Sequence, residues 1–143
     1  MCYALFVKLR TELYDKLIHY ALNTVPYEAC GLITGSIRDC IIEAASLIPI
    51  SNHSKNPGQQ FIMNPQEMIP YLTDSTNPVI GIFHSHPTAP PVPSDEDLET
   101  LWNTIPTHWI LSLKTPDKPE LQIYQIKKAS TTSVHKLSFV IGQ

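Results

Sequence analysis

The spacing of apolar residues changes repeatedly along this chain, and each change predicts a different element. From Thr11 to Asn23 apolar side chains recur every three or four positions, which predicts an amphipathic helix that stops before Pro26. A second helix is expected from Pro65 to about Thr73, with Asn64 as its cap, and a third from Asp95 to Asn103. The face of the first helix that should meet the core carries Leu13, Leu17, Tyr20 and Ala21.

Short apolar runs rich in β-branched residues predict strands between these helices. Gly35-Ser36 is expected to be the turn that joins two strands into a hairpin, and residues 51–60 are expected to form a polar loop. Because strands and helices are interspersed, the pattern predicts an α/β sandwich. The expected strands are Leu5–Leu9, Gly31–Thr34, Cys40–Ile48, Pro78–Phe83, His108–Leu113, Leu121–Ile126 and Ser133–Ile141.

Length and composition limit what such a sandwich can do. The chain has 143 residues, 43% of them apolar, so residues 1–143 are expected to form a single domain around one core. A formal net charge of -3 provides no broad cationic surface, so nucleic acid is not an expected partner. The apolar runs are shorter than the roughly 20 residues of a membrane-spanning helix, and the first residues lack a signal-type pattern. We therefore expect a cytoplasmic protein.

The three cysteines do not suggest a cross-linked scaffold. Cys2, Cys30 and Cys40 are an odd number and form no Cys-x-x-Cys pair, so a disulfide framework is not expected. Cys30 lies two residues after Glu28 and could act as a nucleophile if a histidine activated it. A small thiol in an apolar segment is more commonly buried and inert, and we expect this of Cys30.

One segment carries residues that suit a metal ion. In an extended strand the imidazoles of His84-Ser85-His86 emerge on the same face, while Ser85 points away. Ser94 and Asp97 follow a proline-rich connection, and Asp97 belongs to the first turn of the third helix. If the connection folds back, the Asp97 carboxylate can become a third ligand. Two imidazoles and one carboxylate leave a position open on tetrahedral Zn²⁺, which is typical of hydrolytic sites.

Each part of this pattern also has a simpler interpretation. A His-x-His pair on a strand is often exposed or hydrogen-bonded without any metal. Ser94 and Asp97 also have the spacing of a helix capping box. Metal sites, however, need several ligands that converge on one point, and all of these residues fall within a short stretch of chain. The combination of these residues therefore favours a catalytic metal site over an unrelated histidine pair and capping box.

The combined pattern resembles the signature of the JAMM (MPN-plus) metalloprotease family. His84-Ser85-His86, seven residues, Ser94, two residues and Asp97 fit that signature without gaps. Family members also carry an upstream glutamate, and Glu28 within residues 26–35 resembles that segment. From the residues alone, Glu28 is one of thirteen acidic residues and could equally be solvated or cap a helix. Less specific similarity to small stand-alone prokaryotic members extends to Asn52, Phe61 and Asn64-Pro65.

The resemblance implies a fold, a cofactor and a reaction. The fold is a single-domain α/β sandwich with a curved, mixed and mainly antiparallel sheet flanked by helices. Zn²⁺ is held by His84, His86 and Asp97, while Glu28 activates the zinc-bound water as general base and Ser94 stabilises the oxyanion. The implied substrate is a peptide or isopeptide bond after the C-terminus of a ubiquitin-like or sulfur-carrier protein.

Two other classes of protein fit part of the pattern. A non-catalytic MPN-like scaffold would bind partner proteins with the same fold, but such modules usually lose ligands or the glutamate, and here all five residues are present. A zinc deaminase also pairs a glutamate with hydrolytic zinc, yet its His-x-Glu and Pro-Cys-x-x-Cys elements are absent from the sequence. The sequence therefore favours a hydrolase and leaves its oligomeric state open.

Overall fold

The computed structural model describes residues 5–99, 104–128 and 131–142. Three helices lie in this part of the chain: α1 (Thr11–Thr24), α2 (Pro65–Leu72) and α3 (Asp95–Glu99). The strands are β1 (Phe6–Leu9), β2 (Cys30–Arg38), β3 (Ile41–Ile50), β4 (Val79–His86), β5 (Thr107–Ser112), β6 (Glu120–Lys128), β7 (Thr132–Lys136) and β8 (Ser138–Ile141). The predicted α1 and α2 are thus confirmed, whereas the part of the third predicted helix from 100 to 103 lies outside the described residues.

The strands form one eight-stranded sheet in the order β7-β6-β5-β4-β2-β3-β1-β8. Parallel pairing joins β1 to β3, β1 to β8 and β4 to β5. The remaining neighbours in the sheet pair antiparallel. The expectation of a mixed, mainly antiparallel sheet flanked by helices is confirmed.

The curvature of the sheet is visible at its two edges. β7 and β8 are edge strands on opposite sides of the sheet, and only Leu137 separates them along the chain. The Leu137 side chain is 5% exposed, and its N–H donates to the carbonyl of Ile123 at 2.8 Å. The sheet therefore curls until its edges nearly meet. The single strand predicted for Ser133–Ile141 is wrong, because the chain leaves one edge at Leu137 and continues on the other.

Apolar side chains form a main layer on each face of the sheet, and a smaller cluster contains Ile110, Tyr124 and Ile126. Phe83 packs with Leu17 in the layer beneath α1, whereas Ile82 packs with Met68 in the layer beneath α2. This alternation follows from the two-residue period of a strand. His84 and His86 continue the Ile82 face, so both imidazoles lie on the α2 side. In α1 the predicted face is confirmed: Leu13, Leu17 and Ala21 are buried and Tyr20 is partly buried.

The first hairpin turns four residues later than predicted. Gly35 lies within β2, where the pairing with β3 shifts register between Thr34 and Gly35. A Cβ on Gly35 would collide with the Glu43 carbonyl, so this glycine permits a close strand approach at a bulge, not a turn. The turn itself lies at Asp39 and Cys40, whose φ angles are 51° and 69°.

Two further sequence expectations meet the structure here. Disulfide bonding was not expected, but Cys40 is disulfide-bonded. An odd number of cysteines rules out complete pairing, yet it allows one pair. Cys30 is free and buried, as expected, and burial raises the pKa of its thiol to about 12, reinforced by the negative charges of Glu28 and Glu67. None of the helices in the described part of the chain is long and apolar enough to cross a membrane.

Candidate metal centre

The last residues of β4 bring the two histidines to the centre of the sheet. His84 pairs with Cys30 of β2, and His86 pairs with Ser112 of β5, so neighbouring strands flank both residues. Each histidine is 3% exposed, and Ser85 between them is fully buried on the opposite face. The predicted strand from Pro78 to Phe83 thus extends through the histidine pair, and the prediction that one strand end presents both imidazoles on one face is confirmed.

Side-chain hydrogen bonds hold the connection after β4 folded back towards the histidines. Proline has no N–H group, so a proline-rich segment offers few backbone donors of its own. Consecutive carbonyl oxygens of residues 89–91 instead accept hydrogen bonds from Ser112 Oγ (2.6 Å), His86 Nδ1 (2.8 Å) and Tyr124 Oη (2.5 Å). This course returns the chain to the histidines and places Asp97, which is 3% exposed, beside them.

Three potential ligand atoms converge at this point. The Nε2 atoms of His84 and His86 are 3.1 Å apart, and Asp97 Oδ2 lies 3.1 Å from the first and 3.0 Å from the second. Ligands about 2.0–2.1 Å from a tetrahedral Zn²⁺ are separated by about 3.3 Å. The triangle of Nε2, Nε2 and Oδ2 atoms is therefore close to the size that this ion requires.

The hydrogen bond on the far side of His86 supports the same conclusion. A carbonyl oxygen can only accept, so His86 Nδ1 must donate its hydrogen to the carbonyl of Pro90. In a neutral imidazole this leaves the Nε2 lone pair directed at the cluster, as in many metal-bound histidines. Lone pairs that face one another at such short distances repel unless a proton or a cation lies between them. The donor set therefore fits Zn²⁺.

Burial and hydrogen bonding act in opposite directions on the pKa values of these three residues. Burial lowers the pKa of His84, and Asp97 offsets this only in part. Burial also disfavours the charged form of His86, but hydrogen bonds to Asp97 and the Pro90 carbonyl leave its pKa raised. For Asp97, burial is outweighed by hydrogen bonds from the histidines, which hold its pKa well below its usual range. Asp97 is thus an ionised carboxylate, the form that binds metal.

Glu28 reaches the cluster from the segment that leads into β2. Its N–H donates to the carbonyl of Pro57 (2.7 Å), and its own carbonyl accepts from Asn52 Nδ2 (3.1 Å). The N–H of Ala29 donates to Ser85 Oγ (2.8 Å), and the N–H of Ser85 donates back to the carbonyl of Ala29 (2.9 Å). Every backbone donor and acceptor of the Glu28-Ala29 dipeptide is therefore engaged, which fixes where the Glu28 side chain begins.

The carboxyl group of Glu28 is much less constrained than its backbone. Glu28 is 3% exposed, and one of its oxygens lies within 4.8 Å of the ligand atoms of His84, His86 and Asp97. Among the described residues Oε1 has no hydrogen-bond partner. Burial raises the Glu28 pKa from 4.5 to about 8; His86 opposes this rise, while Asp97 and Glu96 reinforce it. A carboxyl beside the cluster is suited to exchange a proton with a group bound there.

Ser94 caps the turn that carries Asp97. Ser94 Oγ accepts from the N–H of Asp97 at 3.0 Å, and the N–H of Ser94 donates to Asp97 Oδ2 at 2.9 Å. The capping contacts proposed as the simpler interpretation are therefore present. Because Oγ acts as an acceptor in this pair, its hydrogen can still be donated to an oxygen of a bound molecule.

Three supporting residues were missed as site components in the sequence analysis. Ser85 was expected only to point away from the metal, yet a fully buried hydroxyl must find a partner, and this rule could have predicted its bond to the backbone. Phe61 stacks on His84 with ring centroids 4.4 Å apart, and Asn52 binds the carbonyl of Glu28. For these two, the sequence offered only their spacing, because their contacts depend on the path of the 51–60 loop.

The fold and the cluster together are those of a JAMM-type protein. They combine a curled mixed sheet with a strand-borne histidine pair, an aspartate in the first turn of a helix and a buried glutamate. The family profile described as prokaryotic homologues of the JAB domain matches residues 10–127. The chain belongs to this family, and the resemblance to JAMM proteins is confirmed.

Individual relatives extend the comparison. A desampylase of Haloferax volcanii is 32% identical over 82 residues, which cover 55% of this chain and 58% of that protein. A desampylase of Pyrococcus furiosus is 31% identical over 103 residues, or 68% of each chain. A CysO-cysteine peptidase of Mycobacterium tuberculosis is 23% identical over 126 residues, or 87% of this chain and 85% of that one. The solution structure of a Desulfitobacterium hafniense protein superposes with a TM-score of 0.83 and 27% identity, covering 96% and 93% of the two chains.

Proposed function

We propose that this protein is a zinc-dependent peptidase or isopeptidase that hydrolyses the bond after the C-terminus of a ubiquitin-like or sulfur-carrier protein. The observation that carries the proposal is the buried convergence of ligand atoms from His84, His86 and Asp97 with the Glu28 carboxyl beside them. The relatives named desampylase and CysO-cysteine peptidase support the class of substrate. A panel of carrier proteins with C-terminal extensions is therefore the appropriate set of test substrates.

We assign each polar residue of the site a role in this hydrolysis. Zn²⁺ bound by His84 Nε2, His86 Nε2 and Asp97 Oδ2 would supply Lewis acidity and lower the pKa of water. Glu28 accepts the proton that water loses as its oxygen bonds to the substrate carbonyl carbon. Ser94 donates its hydroxyl hydrogen to the carbonyl oxygen while negative charge develops there. As the C–N bond breaks, Glu28 gives its proton to the departing amine.

The test compares the parent protein with Glu28→Gln, measuring zinc content and cleavage of the carrier-protein panel. An amide cannot accept the proton, so we expect Glu28→Gln to retain stoichiometric zinc and to lose turnover by about 10²-fold or more. Glu12→Gln is the matched control, because the Glu12 side chain is 78% exposed on α1 and lies 3.6 Å from Lys16. It should behave like the parent.

The outcomes separate the parts of the proposal. Undiminished cleavage by zinc-loaded Glu28→Gln would refute the general-base role. If the zinc-loaded parent protein leaves every carrier fusion intact, the substrate class is wrong, and a partner-binding scaffold becomes the better description.

A further inference from the structure

Asn52 lies in the polar loop of residues 51–60, and its side chain connects this loop to the Glu28 segment. Its Nδ2 donates to the carbonyl oxygens of Glu28 (3.1 Å) and Gln60 (3.0 Å). Its Oδ1 accepts from the backbone N–H groups of Ser54 (3.0 Å) and Ile62 (3.1 Å). The half-buried Asn52 amide therefore binds backbone groups of both the loop and the Glu28 segment. It can do so because its NH₂ group donates while its oxygen accepts.

Phe61, the residue that follows this loop, contacts the candidate metal centre at a second place. Phe61 is 5% exposed and stacks on the His84 ring, with centroids 4.4 Å apart and an interplanar angle of 22°. The loop also accepts the N–H of Glu28 at the carbonyl of Pro57, at 2.7 Å. The loop thus binds both backbone groups of Glu28, and Phe61 at its end supports His84 by ring stacking. Asn52 is the side chain that joins these contacts.

The Glu28 carboxyl depends on this backbone support. Within the described part of the chain its Oε1 has no hydrogen-bond partner, so its distance from the ligands is set mainly by where the backbone is held. A misplacement of about 1 Å at a reacting group can reduce turnover by about 10²-fold. The bond from Asn52 to the Glu28 carbonyl is therefore placed to affect chemistry without touching any reacting atom.

We propose that Asn52 is a positioning residue that fixes the distance between the Glu28 carboxylate and the metal ligands. The inference rests on the proposed hydrolase where it concerns turnover. Its effect on a bound cation does not depend on the identity of any substrate, so the two ideas can be tested separately.

Two substitutions of Asn52 and one control define the test. Asn52→Asp keeps the size and the acceptor but removes both donated hydrogen bonds. Asn52→Ser is too short to reach the carbonyl of Glu28, yet it can keep the local turn with Ser54, and it avoids a buried charge if the first variant does not fold. Asn56→Asp is the matched control, because Asn56 is exposed in the same loop and, in the ranges that the structure describes, its side-chain amide makes only one long contact, to Gln59 Oε1 at 3.4 Å.

The first measurement is the affinity for Co²⁺, a spectroscopic substitute for Zn²⁺, determined by chelator competition. It is made for the parent and for each Asn52 variant, each with and without the additional substitution Glu28→Gln. In the parent, Glu28→Gln should weaken Co²⁺ binding about tenfold, because it removes a negative charge beside the cation, while tighter Zn²⁺ stays bound. In either Asn52 variant the same change should weaken binding by less than about threefold, because the carboxylate has already moved. The positioning role would be overturned if Glu28→Gln weakened Co²⁺ binding by the same factor in the parent and in the Asn52 variants. It would also be overturned if Glu28→Gln did not change the Co²⁺ affinity of the parent.

The second measurement is carrier cleavage. Asn52→Asp and Asn52→Ser should lower kcat by about 10-fold to 100-fold and leave KM within about twofold, while Asn56→Asp should change neither constant. A lower thermal midpoint with unchanged kcat would mean that Asn52 only stabilises the loop, which would also overturn the proposal. If the parent cleaves no carrier, the proposed function fails, and the Co²⁺ comparison still decides on Asn52.

Discussion

Ser85 accepts a hydrogen bond from the N–H of Ala29 at 2.8 Å, and it lies between the two histidines of the candidate metal centre. One strand residue therefore couples two parts of the site. His84 and His86 present their imidazoles on one face of β4, while the Ser85 hydroxyl binds the N–H of Ala29 on the other face. This contact adds to the backbone bond from the N–H of Ser85 to the carbonyl of Ala29, and together they tie β4 to the Glu28 segment.

Replacing Ser85 with alanine should weaken the fold and slow the reaction together. The substitution leaves the buried N–H of Ala29 without an acceptor, which should lower the free energy of unfolding by about 1–3 kcal/mol in urea titrations. Turnover should also fall while zinc content stays stoichiometric, since no ligand is removed. Ser85→Thr keeps the hydroxyl and is the control. Equal losses in both variants would indicate that packing at this fully buried position, not the hydrogen bond, is responsible.

Replacing Phe61 with leucine should weaken metal binding. The His86 ring is oriented by its bond to the Pro90 carbonyl, whereas the His84 ring stacks on Phe61. Loss of such support around a metal ligand typically reduces metal affinity by about 10-fold to 100-fold, and we expect the lower end for Phe61→Leu. Phe139→Leu removes a half-buried ring in the α1-side layer and should leave metal affinity unchanged. Chelator competition measures both variants, and equal affinities would contradict the role of stacking.

Ser94 offers a test between capping and catalysis. If its hydroxyl stabilises the developing oxyanion, Ser94→Ala and Ser94→Gly should both lower kcat by about 10²-fold to 10³-fold. If it only caps the turn of Asp97, glycine should be tolerated far better than alanine, because glycine at an N-cap loses only a few tenths of a kcal/mol. Steady-state kinetics alongside thermal unfolding of both variants will distinguish these outcomes. A glycine variant with nearly full activity would exclude the oxyanion role.

The sequence predicted well that His84, His86 and Asp97 come together, because these residues belong to short local patterns. His84 and His86 alternate on one strand, and Ser94 and Asp97 are spaced as a helix start requires, so their relative placement depends little on the rest of the chain. Glu28 could be assigned only through the family resemblance. Its approach to the cluster is created by contacts with Asn52 and residues of β4, which no local pattern encodes.

Errors in the predicted fold have the same origin. Gly35 was interpreted as a turn residue, but the close approach of β2 to β3 at a bulge explains the glycine equally well. The break at Leu137 carries no turn signal in the sequence. The break occurs because the two edges of the curled sheet lie close together at Leu137. That arrangement depends on all of the strand pairings and not on any local sequence pattern.

The metal-free protein should lose stability as pH rises, through Glu28. Its pKa is raised from 4.5 to about 8, so its contribution to stability is fully present below about 4.5, declines as pH rises, and is lost once pH passes about 8. Glu28→Gln cannot ionise and should flatten this decline by an amount on the order of a few kcal/mol. Urea midpoints of both metal-free proteins between pH 5 and pH 9 provide the measurement. Parallel curves would show that Glu28 ionises as easily in the folded as in the unfolded chain.

The single-residue connection between β7 and β8 at Leu137 also affects how the sheet forms during synthesis. Phe6 of β1 pairs with Ser138 of β8, so β1 gains its second neighbour only after more than 130 further residues have been synthesised. A nascent chain that ends at residue 137 leaves that side of β1 without its strand, and such an edge can associate with other chains. Sheet closure is therefore a late, long-range event, and contacts of this sequence separation slow folding.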